Sequence, residues 1–212
     1  MDSDTRLVYR MLLAVDVERY STRNAMEQLQ AQSDLRQTLE DAAARCGLNR
    51  ELWHKQVRGD GELAVLPPDV DVPRVVGTFV RHLEMALLDL NAARAGRRPL
   101  RLRLALHHGT LAPGPFGPIG DAPIVVSRLL DAGSLRRALA QLQDGDLALV
   151  VSDALFRDVV STGFCSLGAD DFEAIRVVAK GTCYRGYVRR LRKVSADETV
   201  LAFSTRRLAR TT

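Results

Sequence analysis

Two aspartates stand where an acid is costly. Asp16 closes the apolar run "MLLAV", and Asp60 sits in "RGDGELAV" between two short apolar segments. A carboxylate at the end of a buried strand needs a partner. Two such carboxylates at one place, together with phosphate oxygens, are the donor set of Mg²⁺ or Mn²⁺, since hard ions prefer oxygen. The plainer reading is that Asp60 serves an Asp-Gly turn and Asp16 caps a loop. Spacing alone leaves both open. Other chemistries find less support. His107 and His108 are consecutive on a strand and point to opposite faces, which disfavours a zinc pair. Ser21 and Ser152 have no base nearby in sequence and no GxSxG elbow. "GPFGPIG" is neither a dinucleotide fingerprint nor a Walker loop. Cys46, Cys165 and Cys183 lack CxxC spacing, so neither a zinc site nor a disulfide framework is expected, and a reducing cytoplasm fits best.

The elements that position these residues follow from hydrophobic period. "RLVYRMLLAV" reads as a buried strand, and residues 25–46 show helical spacing ending at Gly47, a suitable C′ residue. "LWHKQVRGDGELAVLPP" predicts a hairpin around its Asp-Gly tip. A helix over residues 73–95 follows, then the alternating strand "LRLRLALHHGT", the Gly/Pro-rich loop "LAPGPFGPIGDAP" and a helix over 122–142. "DLALVVS" is a buried strand, "DALFRDVVS" a helix start, and "FEAIRVVAK" with "TCYRGYVRRL" a closing pair of strands. Right-handed crossovers turn this order into an α+β, ferredoxin-like split βαβ sheet with helices on one face. In such a sheet the first strand lies beside the hairpin, so Asp16 and Asp60 converge at one edge.

Composition narrows the class. With 212 residues, 46% hydrophobic and 26% charged, the chain can bury a full core as one domain over 1–192, followed by a basic extension over 193–212. No stretch of about 18 apolar residues predicts a membrane span. The net charge of +4 rests on arginine, with lysine only at Lys55, Lys180 and Lys193. Aromatic residues make up 5%, too few for a base-stacking platform, so nucleic acid is not an expected partner.

"LLAVDVERYSTR", "GDGELAV", "RLRLALHHG", "GDAPIVVSRLL" and "VVAKG" together resemble, in order and spacing, the class III nucleotidyl cyclase domain over roughly residues 7–190. The set looks closest to small bacterial single-domain cyclase-like proteins, including the pyrimidine cyclases of antiphage systems. The resemblance implies two Mg²⁺ or Mn²⁺ ions held by Asp16, Asp60 and the Val17 carbonyl. It implies a head-to-tail homodimer in which the partner subunit completes each site. Arg128 falls at the transition-state arginine and Lys180 at the triphosphate-binding lysine. Gln56 falls where the family selects adenine with a lysine, and Gly117 at the matching acidic position. Ile124 replaces the ribose-binding asparagine. A different base, or no base, is therefore implied: the Gln56 amide offers a base both a donor and an acceptor, and Arg58 nearby offers a contact to base or phosphate.

The implied activity is conversion of a nucleoside triphosphate to a 3′,5′-cyclic mononucleotide and pyrophosphate, with a pyrimidine nucleotide and antiviral signalling as the finer expectation. A second expectation, raised by Ile124 and Gly117, is a catalytically degenerate domain that binds a nucleotide or a partner.

Overall fold

The computed structural model describes residues 6–143 and 145–190. The expected basic extension over 193–212 lies outside them. Strand β1 (Val8–Val17) is buried from Met11 onward, because its two faces meet two separate cores. Met11, Leu13, Val15 and Val17 join one core, while Leu12 and Ala14 join the other. A fully buried leucine contributes about 2 kcal/mol, so this alternation fixes the register of the strand.

Helix α1 (Ala25–Arg45) begins at a capping box in which Asn24 accepts the Glu27 N–H and the Glu27 carboxylate accepts that of Asn24. It ends where Gly47 takes a φ of 68°. Strands β2 (His54–Arg58) and β3 (Gly61–Val65) form the hairpin. The expected second helix is one rod in three parts: α2 (Val72–Arg74), a π-helical stretch over Val75–Phe79, and α3 (Val80–Ala92). Strand β4 (Leu102–Leu111) follows. The helix expected over 122–142 is instead two, α4 (Asp121–Leu130) and α5 (Gly133–Gln141). The break falls at "DAG", where glycine weakens helix continuity. Strand β5 (Leu147–Ser152), the short α6 (Asp153–Leu155), and strands β6 (Phe172–Ala179) and β7 (Thr182–Arg189) complete the order.

The seven strands make one sheet in the order β2-β3-β1-β4-β5-β7-β6. Every pairing is antiparallel except β4 with β5. The run β4-β1-β3-β2 is the ferredoxin-like split βαβ unit. Helices α1 and α3 cover one face, as expected; α4 and α5 add cover on the other.

The β6–β7 hairpin reaches beyond its neighbour. β7 pairs with β5 only over Gly186–Val188, so the outer part of the hairpin, up to the turn at Lys180 and Gly181, stands clear of β5. Phe156 stacks on Tyr187 with ring centroids 3.7 Å apart and meets Phe172 edge-on, which anchors the base of this arm.

Candidate active site at the end of the first strand

The β1 register settles where Asp16 goes. Asp16 lies opposite Gly61 on β3 and Arg103 on β4. One residue on, the Val17 N–H donates to the Asp60 carbonyl at 2.8 Å, fastening the hairpin tip to the strand end. The close approach requires glycine at 61, because a Cβ there would lie 1.9 Å from the Val15 carbonyl oxygen. Asp16 and Asp60 therefore line one small cavity of about 100 Å³, with Arg58, Ser127 and Asp131 also in its wall.

Asp16 is 8% exposed. Arg103 Nε and Nη2 donate to its two carboxylate oxygens, each at 2.7 Å, the bidentate geometry a guanidinium favours. Burial nevertheless pushes the carboxyl up to about 6, with Arg103 pulling it down and the Asp60 and Asp131 charges pushing it up. Sequence reasoning missed both Arg103 and Asp131. An arginine in "LRLRLALHH" reads as the wet side of an alternating strand, and only the β1–β4 register reveals its target.

The donor set suits a hard cation: the carboxylates of Asp16 and Asp60 and the backbone carbonyl of Val17 are all oxygen. Among the described residues no three His, Cys, Asp or Glu side chains gather into a metal-binding cluster. Both oxygens of Asp16 are engaged by Arg103, so an ion here shares or displaces that guanidinium.

Beside this cavity a cleft of about 700 Å³ runs between α1 and the β2–β3 hairpin, lined by Arg36, Lys55, Arg58 and Asp60. Gln56 and Gly117 come together: Gln56 Nε2 donates to the Phe116 carbonyl at 3.0 Å, and its amide lies 3.2 Å from where a Gly117 Cβ would be. Gly117 has a φ of 119°, so a side chain there would be strained.

Arg128 and Lys180 are elsewhere. Ser127, Leu130 and Asp131 are the α4-end residues at the cavity, whereas Arg128 lies one helical turn from Ile124, which is 47% exposed. Lys180 is at the β6–β7 tip, five strand spacings from β3 in sheet order, roughly 24 Å. It holds a φ of 50°, a left-handed conformation unusual for lysine. The two histidines find separate partners: His107 Nδ1 is 2.7 Å from Ser152 Oγ, and His108 Nε2 is 3.0 Å from Asp158 Oδ2.

Comparison of the sequence with protein-family models gives no match, and no curated protein matches it. The fold does find counterparts among solved structures. The guanylyl cyclase Cya2 superposes with a TM-score of 0.62 at 14% identity, over 91% of this chain and 97% of that one. An adenylate/guanylate cyclase/hydrolase from Silicibacter pomeroyi gives 0.63 at 17% identity, over 89% and 99%. The guanylate cyclase domain of RhGC from Catenaria anguillulae, solved with GTP, gives 0.55 at 15% identity, over 89% and 100%. This chain has the α+β fold of the class III adenylate and guanylate cyclase catalytic domains; at these identities the likeness is one of fold. Among the described residues no helix is long and apolar enough to cross a membrane.

Proposed function

We propose that the chain is a metal-dependent nucleotidyl cyclase that converts a nucleoside triphosphate to a 3′,5′-cyclic mononucleotide and pyrophosphate. The observation that carries this reading is the shared cavity of Asp16 and Asp60 at the end of β1, beside a cleft lined by Arg36, Lys55 and Arg58. Asp16, Asp60 and the Val17 carbonyl would hold Mg²⁺ or Mn²⁺, as two ions, which when bound acidify the ribose 3′-hydroxyl and shield the phosphates. The remaining work is positioning and charge. The reaction is an in-line attack on the α-phosphorus with pyrophosphate leaving, so orientation and electrostatic stabilisation dominate. Arg103 orients Asp16 and keeps a fixed cation against its carboxylate. Arg58 stands between cleft and cavity to meet phosphate or base. Arg128 supplies a planar cation for the charge developing on the transferring phosphoryl group, and Lys180 binds the triphosphate.

The far separation of Lys180 from Asp60 supports a site composed of two copies in a head-to-tail homodimer. The clear-standing β6–β7 arm and the exposed apolar residues Val57, Phe116, Ile119 and Ile124 support the same arrangement. Gln56 beside a bare Gly117 supports a substrate other than ATP. A pyrimidine triphosphate, and with it a role in antiviral signalling, rests on the sequence resemblance alone.

One experiment tests the reading. Purified protein is incubated with Mn²⁺ and each of the four ribonucleoside triphosphates, and products are resolved by chromatography. The expected result is a cyclic mononucleotide and pyrophosphate from at least one of them, the largest yield coming from UTP or CTP; turnover of none contradicts the proposal. The Arg103 clamp on Asp16 and Ile124 at the ribose position favour the second reading, a regulatory domain that binds nucleotide without turning it over. That reading is supported if nucleotide binds and no product forms.

A further inference from the structure

A separate cavity lies between the start of α1 and the α3–β4 connection. It measures about 430 Å³ and is lined by Arg23, Arg94, Arg97 and Arg98 together with Glu27 and Asp34. None of its wall is shared with the Asp16 cavity or the hairpin cleft.

Its acids are already committed. The Glu27 carboxylate accepts the Asn24 N–H at 2.9 Å in the capping box. Asp34 is paired with Arg94 and also accepts from Gln30 Nε2 at 2.8 Å. Three guanidiniums remain, and among the described residues none of them forms an ion pair with a carboxylate.

Arg23 is the telling one. It is 8% exposed, its Nη2 donates to the Pro99 carbonyl at 2.8 Å, and its Nε has no acceptor among the described residues. A buried guanidinium with no direct ion pair is an expensive arrangement, only partly offset by the nearby charges of Glu27, Asp34 and Glu18. Burial first, and then the charge of Arg98, hold its pKa below the usual arginine value. Arg98 itself donates to two neutral acceptors, Thr22 Oγ1 at 2.7 Å and the Arg19 carbonyl at 3.3 Å.

We propose that this cavity binds an anion carrying two adjoining phosphoryl groups, held by Arg23, Arg97 and Arg98. Guanidinium forks match phosphate oxygens bidentately, and a lining of four arginines against two carboxylates favours a polyanion over a monocarboxylate. The volume exceeds a bare phosphate and falls in the range of small-ligand pockets, so free pyrophosphate and a nucleoside diphosphate are the two sources. The proposal does not depend on the cyclase reading. Arg98 also grips the turn just after Asp16, so occupancy here is mechanically joined to that loop.

Isothermal titration calorimetry in EDTA tests it, because chelation keeps divalent ions from the Asp16–Asp60 cavity. Inorganic pyrophosphate should bind the wild-type protein at one site per chain. Arg98→Gln, an exposed position, and Arg23→Gln, checked for native circular dichroism, should each weaken binding about tenfold or more. Asp60→Asn and Lys180→Gln should leave it unchanged. Tighter binding of ADP than of pyrophosphate assigns the site to a nucleotide, and equal or weaker binding assigns it to the free anion. No binding, binding indifferent to both arginine substitutions, or binding lost in Lys180→Gln would overturn the proposal.

Discussion

Asp16 and Arg103 are a pair in which each residue makes the other tolerable. Both side chains are largely buried, and removing one partner of such a pair strands a charge at a cost of about 3 kcal/mol. Arg103→Gln should therefore lose about that much stability at pH 8 in urea denaturation. Asp16 titrates near 6 in the folded chain, above the ordinary carboxylate range. Between those values the folded state holds a proton that the unfolded state has released, so acidification favours folding. Without Arg103 the carboxyl protonates more readily still, and the deficit of Arg103→Gln should shrink as pH falls through 6. His107 has the opposite sign. Burial, then the neighbouring His108, pull it down to about 4 from an ordinary value of 6.5. In that window the unfolded chain binds a proton that the folded chain refuses, so stability is lost as pH drops. The loss from this one group is about 3 kcal/mol between pH 6.5 and 4, and His107→Gln should flatten the profile there by that amount relative to wild type.

At the scale of elements, the site depends on two turns whose residues are fixed by geometry. Gly61 permits β3 to press against β1 beside Asp16; a methyl group there meets backbone, which cannot swing aside. Gly61→Ala should cost about 3 kcal/mol and lower the thermal midpoint while leaving the far end of the sheet intact by hydrogen exchange. Lys180 presents the reverse situation. With Gly181 also at positive φ, the β6–β7 turn favours Asn or Gly at position 180, and lysine is held there against its preference. Lys180→Asn should raise stability by about 1 kcal/mol and lower turnover by about 10²–10³. A variant that loses stability, or one that gains it and keeps full turnover, contradicts the role assigned to this lysine. Much of this layout was legible in the chain: β1 as a buried strand, the Asp-Gly hairpin and the order of elements all follow from local pattern. Arg103 was not, since its meaning comes from a register 87 residues away in sequence. The split of the helix expected over 122–142 into α4 and α5 had a signal in "DAG", overridden by an apolar period that runs on through it.

At the scale of the whole molecule, one copy keeps its acids and its hairpin lysine near opposite edges of a seven-stranded sheet. That separation was not legible in the sequence, where Asp60 and Lys180 are only two motifs in a row; it emerges from the strand order. The fold is shared with adenylate and guanylate cyclase catalytic domains, and the proposed activity requires two such edges to meet across a head-to-tail pair. Mixed dimers of Asp60→Ala and Lys180→Ala test this most directly. Each variant alone should be inactive in the Mn²⁺ assay, because both of its sites lack an essential group. Co-expressed or exchanged chains should recover about a quarter of wild-type turnover, since half the dimers are mixed and each mixed dimer carries one intact site of two. A mixture that stays inactive although wild type turns over and mixed dimers form, or a chain that is active as a strict monomer, would contradict the composite site.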